Sequence, residues 1–525
     1  MKEFDVVVVG AGLSGGLPAA AYLQKAGARV ALVEQGLDAG RFYLSYDLLP
    51  GARFDHSPVN FSGLSPAIAD LDLESFGYSL RIPEVTLAAL DGNGASSVFY
   101  SDPAKTHEQL ARHSRADADR LAALFARLGP QVPRLLRSAI YTAHPNGEAF
   151  DEAVEISANV LETTTAELLQ MTGVDLLEGL FESDAVRRFL SALPALNLFG
   201  DLLEPGQGAL TWLWTLALRA AVAPAANQSL VKALERAFVA AGGTFMRNTV
   251  AREIVVEAGH CVGAVVSPFG SPKTETLWAN GGVISNLGAR QTAELLGPHA
   301  WPRLADWESS NRVLTVQDLV LRRPLRLPKE VAAAPRVYLV WDSWAECVEW
   351  LRRSRTDDLD TYFGDIELTQ FHRLYPGRED RVALRVRYGT GPFADDAWDE
   401  RRAEFKARMR ARLELLDPEL SQIVEYEHVA TPLDFWRSNP AATHGNPIGG
   451  DFVGGQWIED RLPYRAPVDR FYLSNGVWPP ALSWLAAGYN AASVVAEDLG
   501  IRDQPWWRHE PAEWFAARAP APAVA

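Results

Sequence analysis

Cysteine is almost missing from this 525-residue chain, and the two that occur, Cys261 and Cys347, lie far apart. No CxxC pair exists, which excludes a thioredoxin-type dithiol centre and leaves no basis for a disulfide framework. The ten histidines form neither an HExxH motif nor a Cys/His cluster, so no metal site is expected. Positive charge is in deficit: 50 lysines and arginines face 66 acidic residues, for a net charge of −16. That argues against a nucleic-acid partner, which needs a basic face, and against strong attraction to anionic lipid. No apolar run reaches membrane-spanning length; the best candidate, residues 212–226, is interrupted by Arg219. The N-terminus enters a strand pattern almost at once, leaving no room for a signal peptide, so a cytoplasmic protein, at most peripheral to a membrane, is expected. No repeat of solenoid length occurs.

What is present is the composition of a folded protein, with 48% hydrophobic and 22% charged residues, in a chain longer than one core usually supports. The most informative stretch is residues 6–34, VVVVGAGLSGGLPAAAYLQKAGARVALVE. Four valines end in Gly10-Ala11-Gly12-Leu13-Ser14-Gly15, a helical pattern follows, and a second apolar run ends at Glu34. Gly10 permits a tight turn after a buried strand, Gly12 permits close approach of a pyrophosphate, and Gly15 lets the helix pack on the strand. Leu13 and Ser14 complete a turn that opens a helix N-terminus toward negative charge. Glu34, nineteen residues past Gly15 and followed by Gln35, is placed to accept hydrogen bonds from a ribose. Together these features predict a bound dinucleotide. Arg41, just beyond, either reaches the same pyrophosphate or is a solvated loop charge.

Residues 51–63 are rich in turn formers and carry His56. Residues 104–140 predict one or two amphipathic helices, and residues 152–222 are mostly helical with a break near Asn197 to Gln207. LVKALERAFVAAGGTF predicts a helix closed by Gly242-Gly243, then strands near Ala251–Val256, Cys261–Val266 and Gly282–Ser285. Residues 313–430 mix strands, such as Arg381 to Tyr388, with a charged helix from about Asp396 to Leu415. Late in the chain, Arg470–Gly476 reads as a strand running into a turn, with a helix from about Trp484 to Leu499 able to return to the first sheet. The tail carries Trp506, Trp507 and Trp514 before APAPAVA. It predicts a docked aromatic segment, or else an exposed one able to dip into a membrane interface.

VVVVGAGLSGG, LLPGARFDHSP, LERAFVAAGGTF, ISNLGARQT, GNPIGGDFVGGQW and YRAPVDRFYLSNG followed by AGYNAASVVAEDLG together resemble one family. It is the phytoene desaturase-like superfamily of FAD-dependent oxidoreductases, near its carotenoid ketolase and pyridine-nucleotide-disulfide-oxidoreductase-domain-2 branch. The resemblance implies an α/β fold with a Rossmann-type FAD-binding domain built from discontinuous segments and an inserted α+β substrate domain. The expected division is residues 1–75, 223–300 and 430–505 for FAD, and 76–222 and 301–429 for substrate, with 506–525 as the tail. It also implies that Gly10, Gly12 and Gly15 wrap the pyrophosphate, that Glu34 holds the adenosine ribose and that Arg41 touches the phosphates. The Val250 backbone would meet adenine, Asn286 would lie at the end of its strand, and Asn475 and Gly476 would flank the ribityl chain. The helix opening near Trp484 and Leu485 would face the isoalloxazine.

The chain departs from that pattern. SNGVWPPALSW stands where the family has a run of small residues, so Trp478 and Trp484, with Tyr43, are expected to line the substrate as an aromatic wall. Gly449 stands where the family has a histidine, and Pro224-Ala225-Ala226-Asn227 replaces a glycine pair. His56 is the candidate acid or base, a hydrogen-bonded turn histidine being the alternative; His444, Tyr43 and Asp451 are further candidates. With no second GxGxxG, a separate NAD(P)H domain is not expected. The expected reaction is hydride transfer from an apolar or aromatic small molecule (polyene, isoprenoid or aromatic) to the flavin. The alternatives are a redox-neutral isomerase or lyase and an amine oxidase-like enzyme. The electron acceptor would be oxygen, a quinone or none, and the protein a monomer or homodimer.

Overall fold

The computed structural model describes residues 2–55, 64–80, 82–143, 147–195, 201–217, 227–309, 313–353, 366–375, 381–390, 394–395, 397–452, 455–480 and 485–517. The chain opens with strand β1 (Lys2–Val9), whose valines 6–9 are at most 2% exposed. Apolar side chains on both faces suit a central parallel strand covered on each side. Helix α1 (Gly16–Lys25) follows, and then β2 (Val30–Val33).

Later segments complete this sheet: β3 (Thr244–Met246), β4 (Thr249–Glu257), β5 (His260–Pro268), β6 (Glu275–Ser285) and β7 (Phe471–Leu473). Its order is β3-β2-β1-β6-β5-β4, with β7 also paired to β6. The β3-β2-β1-β6-β7 contacts are parallel, whereas β4, β5 and β6 pair antiparallel. The parallel strands therefore end at one edge, the place where open α/β sheets take ligands.

Helix α2 (Ala486–Asp498) returns to the opening turn. The Gly488 N–H donates to the Ser14 carbonyl at 2.8 Å, and a Cβ at Gly488 would lie 2.3 Å from the Gly15 oxygen. Only glycine allows that approach.

A second sheet has the order Val424–Ala430, Val313–Leu321, Val382–Thr390, Ile366–Gln370, Arg336–Leu339, Val85–Leu90, Ser96–Tyr100. Leu384, Val386 and Tyr388 point to a core shared with Trp398, Phe405, Met409 and Leu413 of the helix Ala397–Leu416. By strand alternation Arg385 and Arg387 lie on the opposite face. There Arg385 forks onto Asp318 at 2.7 and 2.9 Å, both residues 1% exposed. Residues 104–140 hold three helices, Pro103–Leu110, Arg115–Leu128 and Val132–Ala139, because Ser114 caps the second.

The aromatic tail lies on α1. Trp507, 1% exposed, packs 4.8 Å from the Tyr22 ring, and Trp506 stacks on Trp507 at 5.5 Å. The Trp514 indole donates to Glu74 at 2.7 Å. These contacts replace the exposed, membrane-dipping alternative, since the rings already bury their apolar faces against the protein. Among the described residues, no helix is long and apolar enough to cross a membrane.

Candidate functional site

Residues just past the ends of β1, β2, β6 and β7 line a cavity of about 350 Å³. Gly10, with φ +92°, turns the chain while its N–H donates to the Val33 carbonyl at 2.8 Å. The Gly12 N–H donates to Asn286 Oδ1 at 3.1 Å, and a Cβ at Gly12 would lie 2.2 Å from that oxygen. At Gly15 a Cβ would meet Asn286 Nδ2 at 2.1 Å; at Gly16 it would meet the Gly10 carbonyl at 1.8 Å. Gly16, outside the GxGxxG spacing, is thus the tightest of the four. The N-terminus of α1 has no side-chain cap and no acidic residue in its first turn. Its amides therefore present their partial positive charge to whatever occupies the turn.

Glu34 closes one end. Its Oε2 accepts from the Ala11 N–H at 2.9 Å and its Oε1 from the Gly36 N–H at 2.7 Å. Each carboxylate oxygen keeps a further acceptor site, which a ribose hydroxyl can fill. Gln35 and Val250, with Thr249 and Ala251, line the same cavity. Arg41 also lines it, its guanidinium bonded to the Ser438 carbonyl. Tyr43 contributes an apolar face, and burial pushes its phenol far above the usual range, so it supplies no anionic base.

Asn475 marks the other direction. Its Nδ2 donates to the Asn286 carbonyl at 3.3 Å, and its Oδ1 accepts from the Gly476 N–H at 2.7 Å. Gly449, φ +74°, packs so closely that a Cβ would lie 2.1 Å from Asn475 Oδ1. Among the expected site residues, the cavity wall unites Gly10, Gly12, Leu13 and Ser14 with Glu34, Gln35, Arg41 and Tyr43, and these with Val250, Asn286 and Asn475.

Others stand apart from this wall. Gly15 sits behind Asn286, Gly476 is covered by Leu462, and the fully buried Leu485 opens α2 with φ +61°. Trp478, expected on the substrate wall, is 3% exposed and donates its indole N–H to the Ala139 carbonyl at 2.6 Å. A buried indole needs that acceptor, and the ring packs with Trp214 and Phe452 instead. His444 pairs with Asp395 at 3.1 Å against Trp436, and the Asp451 carboxylate accepts from Asn446 at 2.7 Å. His56 and Trp484 lie outside the described residues.

Sequence reasoning missed Gly16, Arg387 and Phe435 and named Gly449 only as a departure from the family pattern; all but Gly16 line the cavity. The doubled glycines at 15–16 and 449–450 were a usable signal. Arg387, 7% exposed and paired with the Glu367 carboxylate at 3.4 Å, was signalled only by the alternation Leu384-Arg385-Val386-Arg387.

The residues fit FAD: a glycine turn packed too closely against the strand ends for any Cβ, an uncapped helix N-terminus for the pyrophosphate, and a carboxylate for the ribose. Comparison with known proteins agrees. Residues 8–71 match the NAD(P)-binding Rossmann-like domain family, and residues 103–308 match the FAD binding domain family. A limonene dehydrogenase polypeptide of Castellaniella defragrans is 25% identical, over 99% of this chain and 98% of its own length. Pyridine nucleotide-disulfide oxidoreductase domain-containing protein 2 of Rattus norvegicus is 24% identical, over 95% and 94%. Cyclohexylamine oxidase from Brevibacterium oxydans shares the fold with a TM-score of 0.56 at 15% identity, over 95% of this chain and 99% of that one. The two matched domain families and the end-to-end similarity to limonene dehydrogenase identify an FAD-dependent oxidoreductase. Over nearly its whole length it is similar to limonene dehydrogenase and to pyridine nucleotide-disulfide oxidoreductase domain-containing protein 2.

Proposed function

We propose that this enzyme dehydrogenates an apolar small molecule of the isoprenoid class, a cyclic terpene or a longer polyene. Bound FAD supplies the redox chemistry, accepting a hydride from carbon. The observation that carries this reading is the end-to-end similarity to the limonene dehydrogenase polypeptide, with an apolar share of the cavity wall beside it. Phe42, Tyr43, Leu287, Val316, Phe435 and Pro447 give the wall apolar surface, and no histidine lies among the described lining residues. Loss of hydride from a hydrocarbon places the least demand on a strong base.

In this reading Glu34, the glycine turn and Asn475 bind and orient the cofactor. Residues 76–222 and 301–429 supply the substrate side, where the second sheet brings Val316 and Arg387 to the wall. His56 is the proposed proton acceptor, and oxygen, a quinone or another carrier the electron outlet. The test is steady-state turnover of limonene with a dye acceptor, followed by mass spectrometry. A product lighter by one pair of hydrogens, or its hydrated derivative, supports the reading. An isomer of unchanged mass points to a redox-neutral enzyme, and turnover of amines alone points to an amine oxidase.

A further inference from the structure

The guanidinium of Arg461 is buried, 5% exposed, and among the described residues it has no carboxylate within ion-pair distance. It faces backbone carbonyls alone: Ile448 and Gly449 at 3.2 and 3.1 Å, Gly450, Asp451 and Gln456 at 3.3 Å each, and Val477 at 3.4 Å. The rings of Trp307 and Phe452 lie 5.1 and 5.3 Å from it. One side chain thus ties residues 448–451 and Gln456 to the segment after β7, and Gly449 among them packs against Asn475 in the cavity wall. Trp307 helps, its indole donating to the Gly449 carbonyl at 2.9 Å.

Carbonyl dipoles solvate a cation without cancelling its charge. Burying a charge without a counter-ion is costly, so the fold retains an expensive group where an apolar one would pack. Burial draws its pKa down to about 9, which still leaves it protonated at neutral pH. The Asp451 carboxylate is the nearby acid, and it is engaged by Asn446 at 2.7 Å. With the ribose at Glu34 and the pyrophosphate on the glycine turn, Gly449 and Asn475 are the lining residues that would hold the flavin half of FAD. Two-electron reduction with uptake of one proton leaves the flavin with a negative charge.

We propose that Arg461 is a positioning residue with an electrostatic role: it shapes the Gly449–Asn475 wall and sets a positive field there that favours reduced FAD over oxidised FAD. The inference rests on FAD occupying this cavity, and FAD binding by the wild-type enzyme tests that separately.

The experiment compares Arg461→Met, Arg461→Lys and Trp307→Phe in the full-length holoenzyme. It reads the FAD dissociation constant and the midpoint potential against a reference dye under dithionite or xanthine oxidase reduction. Arg461→Met should weaken FAD binding at least tenfold and lower the preference for the reduced form about tenfold, a shift of about 30 mV. Arg461→Lys, keeping the charge and losing the fork, should hold the potential while weakening FAD. Trp307→Phe, loosening the loop without touching charge, should do the same. A wild-type potential in Arg461→Met overturns the electrostatic role, and wild-type FAD affinity in all three overturns the positioning role. If Arg461→Met does not fold, a potential shift in Arg461→Lys equal to that in Trp307→Phe and larger than about 30 mV, a tenfold change in preference, overturns the charge assignment.

Discussion

The side-chain amide of Asn286 is stitched to Gly12: its Oδ1 accepts the Gly12 N–H at 3.1 Å while its Nδ2 donates to the Ser474 carbonyl at 3.0 Å. One side chain therefore registers the opening turn against the strand end at Ser474, which lies 188 residues beyond Asn286 itself. Both its donor and its acceptor serve the protein, so Asn286 holds together the parts of the cavity proposed to take the cofactor.

Asn286→Ala leaves the buried Ser474 carbonyl without its side-chain donor. The expected cost is about 1–3 kcal/mol of stability, the penalty for stranding a buried polar group. FAD affinity should fall with it, because the Gly12 peptide loses its anchor. Equilibrium denaturation and FAD titration of the same variant check both.

Gly16→Ala should abolish FAD retention, since its Cβ would lie 1.8 Å from the Gly10 carbonyl and force the turn apart. Gly129 is the contrast. It has φ −50°, and a methyl group there would meet nothing within 4 Å, so Gly129→Ala should stabilise the chain by about 0.4–1 kcal/mol. The flavin absorbance of the purified variants and their denaturation midpoints separate the two outcomes.

His372 sets an acid limit on stability. Neither ring nitrogen has a hydrogen-bond partner among the described residues, and burial, with Arg373 nearby, pulls its pKa down to about 4. An unfolded histidine titrates near pH 6.5, so between about pH 6.5 and 4 the unfolded chain binds the extra proton. Stability should therefore fall as pH drops through that window. His372→Gln should flatten this part of the profile, measured as denaturation midpoint against pH.

The tail is a structural clamp. Trp507→Ala should cost about 3–5 kcal/mol, because a fully buried aromatic ring is lost from the face of α1. Sedimentation with neutral liposomes should be the same for this variant and the wild type.

The sheet opened by residues 6–34 was legible because a buried valine run, a glycine turn and an acid at fixed spacing rarely coincide outside a dinucleotide site. Its completion by Phe471–Leu473 was legible from an apolar strand meeting small residues. The role of Trp478 was not: whether an indole faces a cavity or an interior seam depends on where Ala139 lies, and no local pattern encodes that. Arg461 was equally silent, since its partners are backbone carbonyls, which carry no side-chain signature. The charged face of the second sheet was half visible, as alternation at residues 384–388 without a clue to which side was buried.

In the proposed reaction a terpene-class substrate reduces FAD held in this cavity. Anaerobic mixing of the holoenzyme with limonene, followed at the visible absorbance band of the oxidised flavin, tests it most directly. Bleaching in a single turnover, one substrate oxidised per flavin reduced, is the expected result. Turnover with the flavin band intact, or no spectral change across cyclic and acyclic isoprenoids, would contradict it.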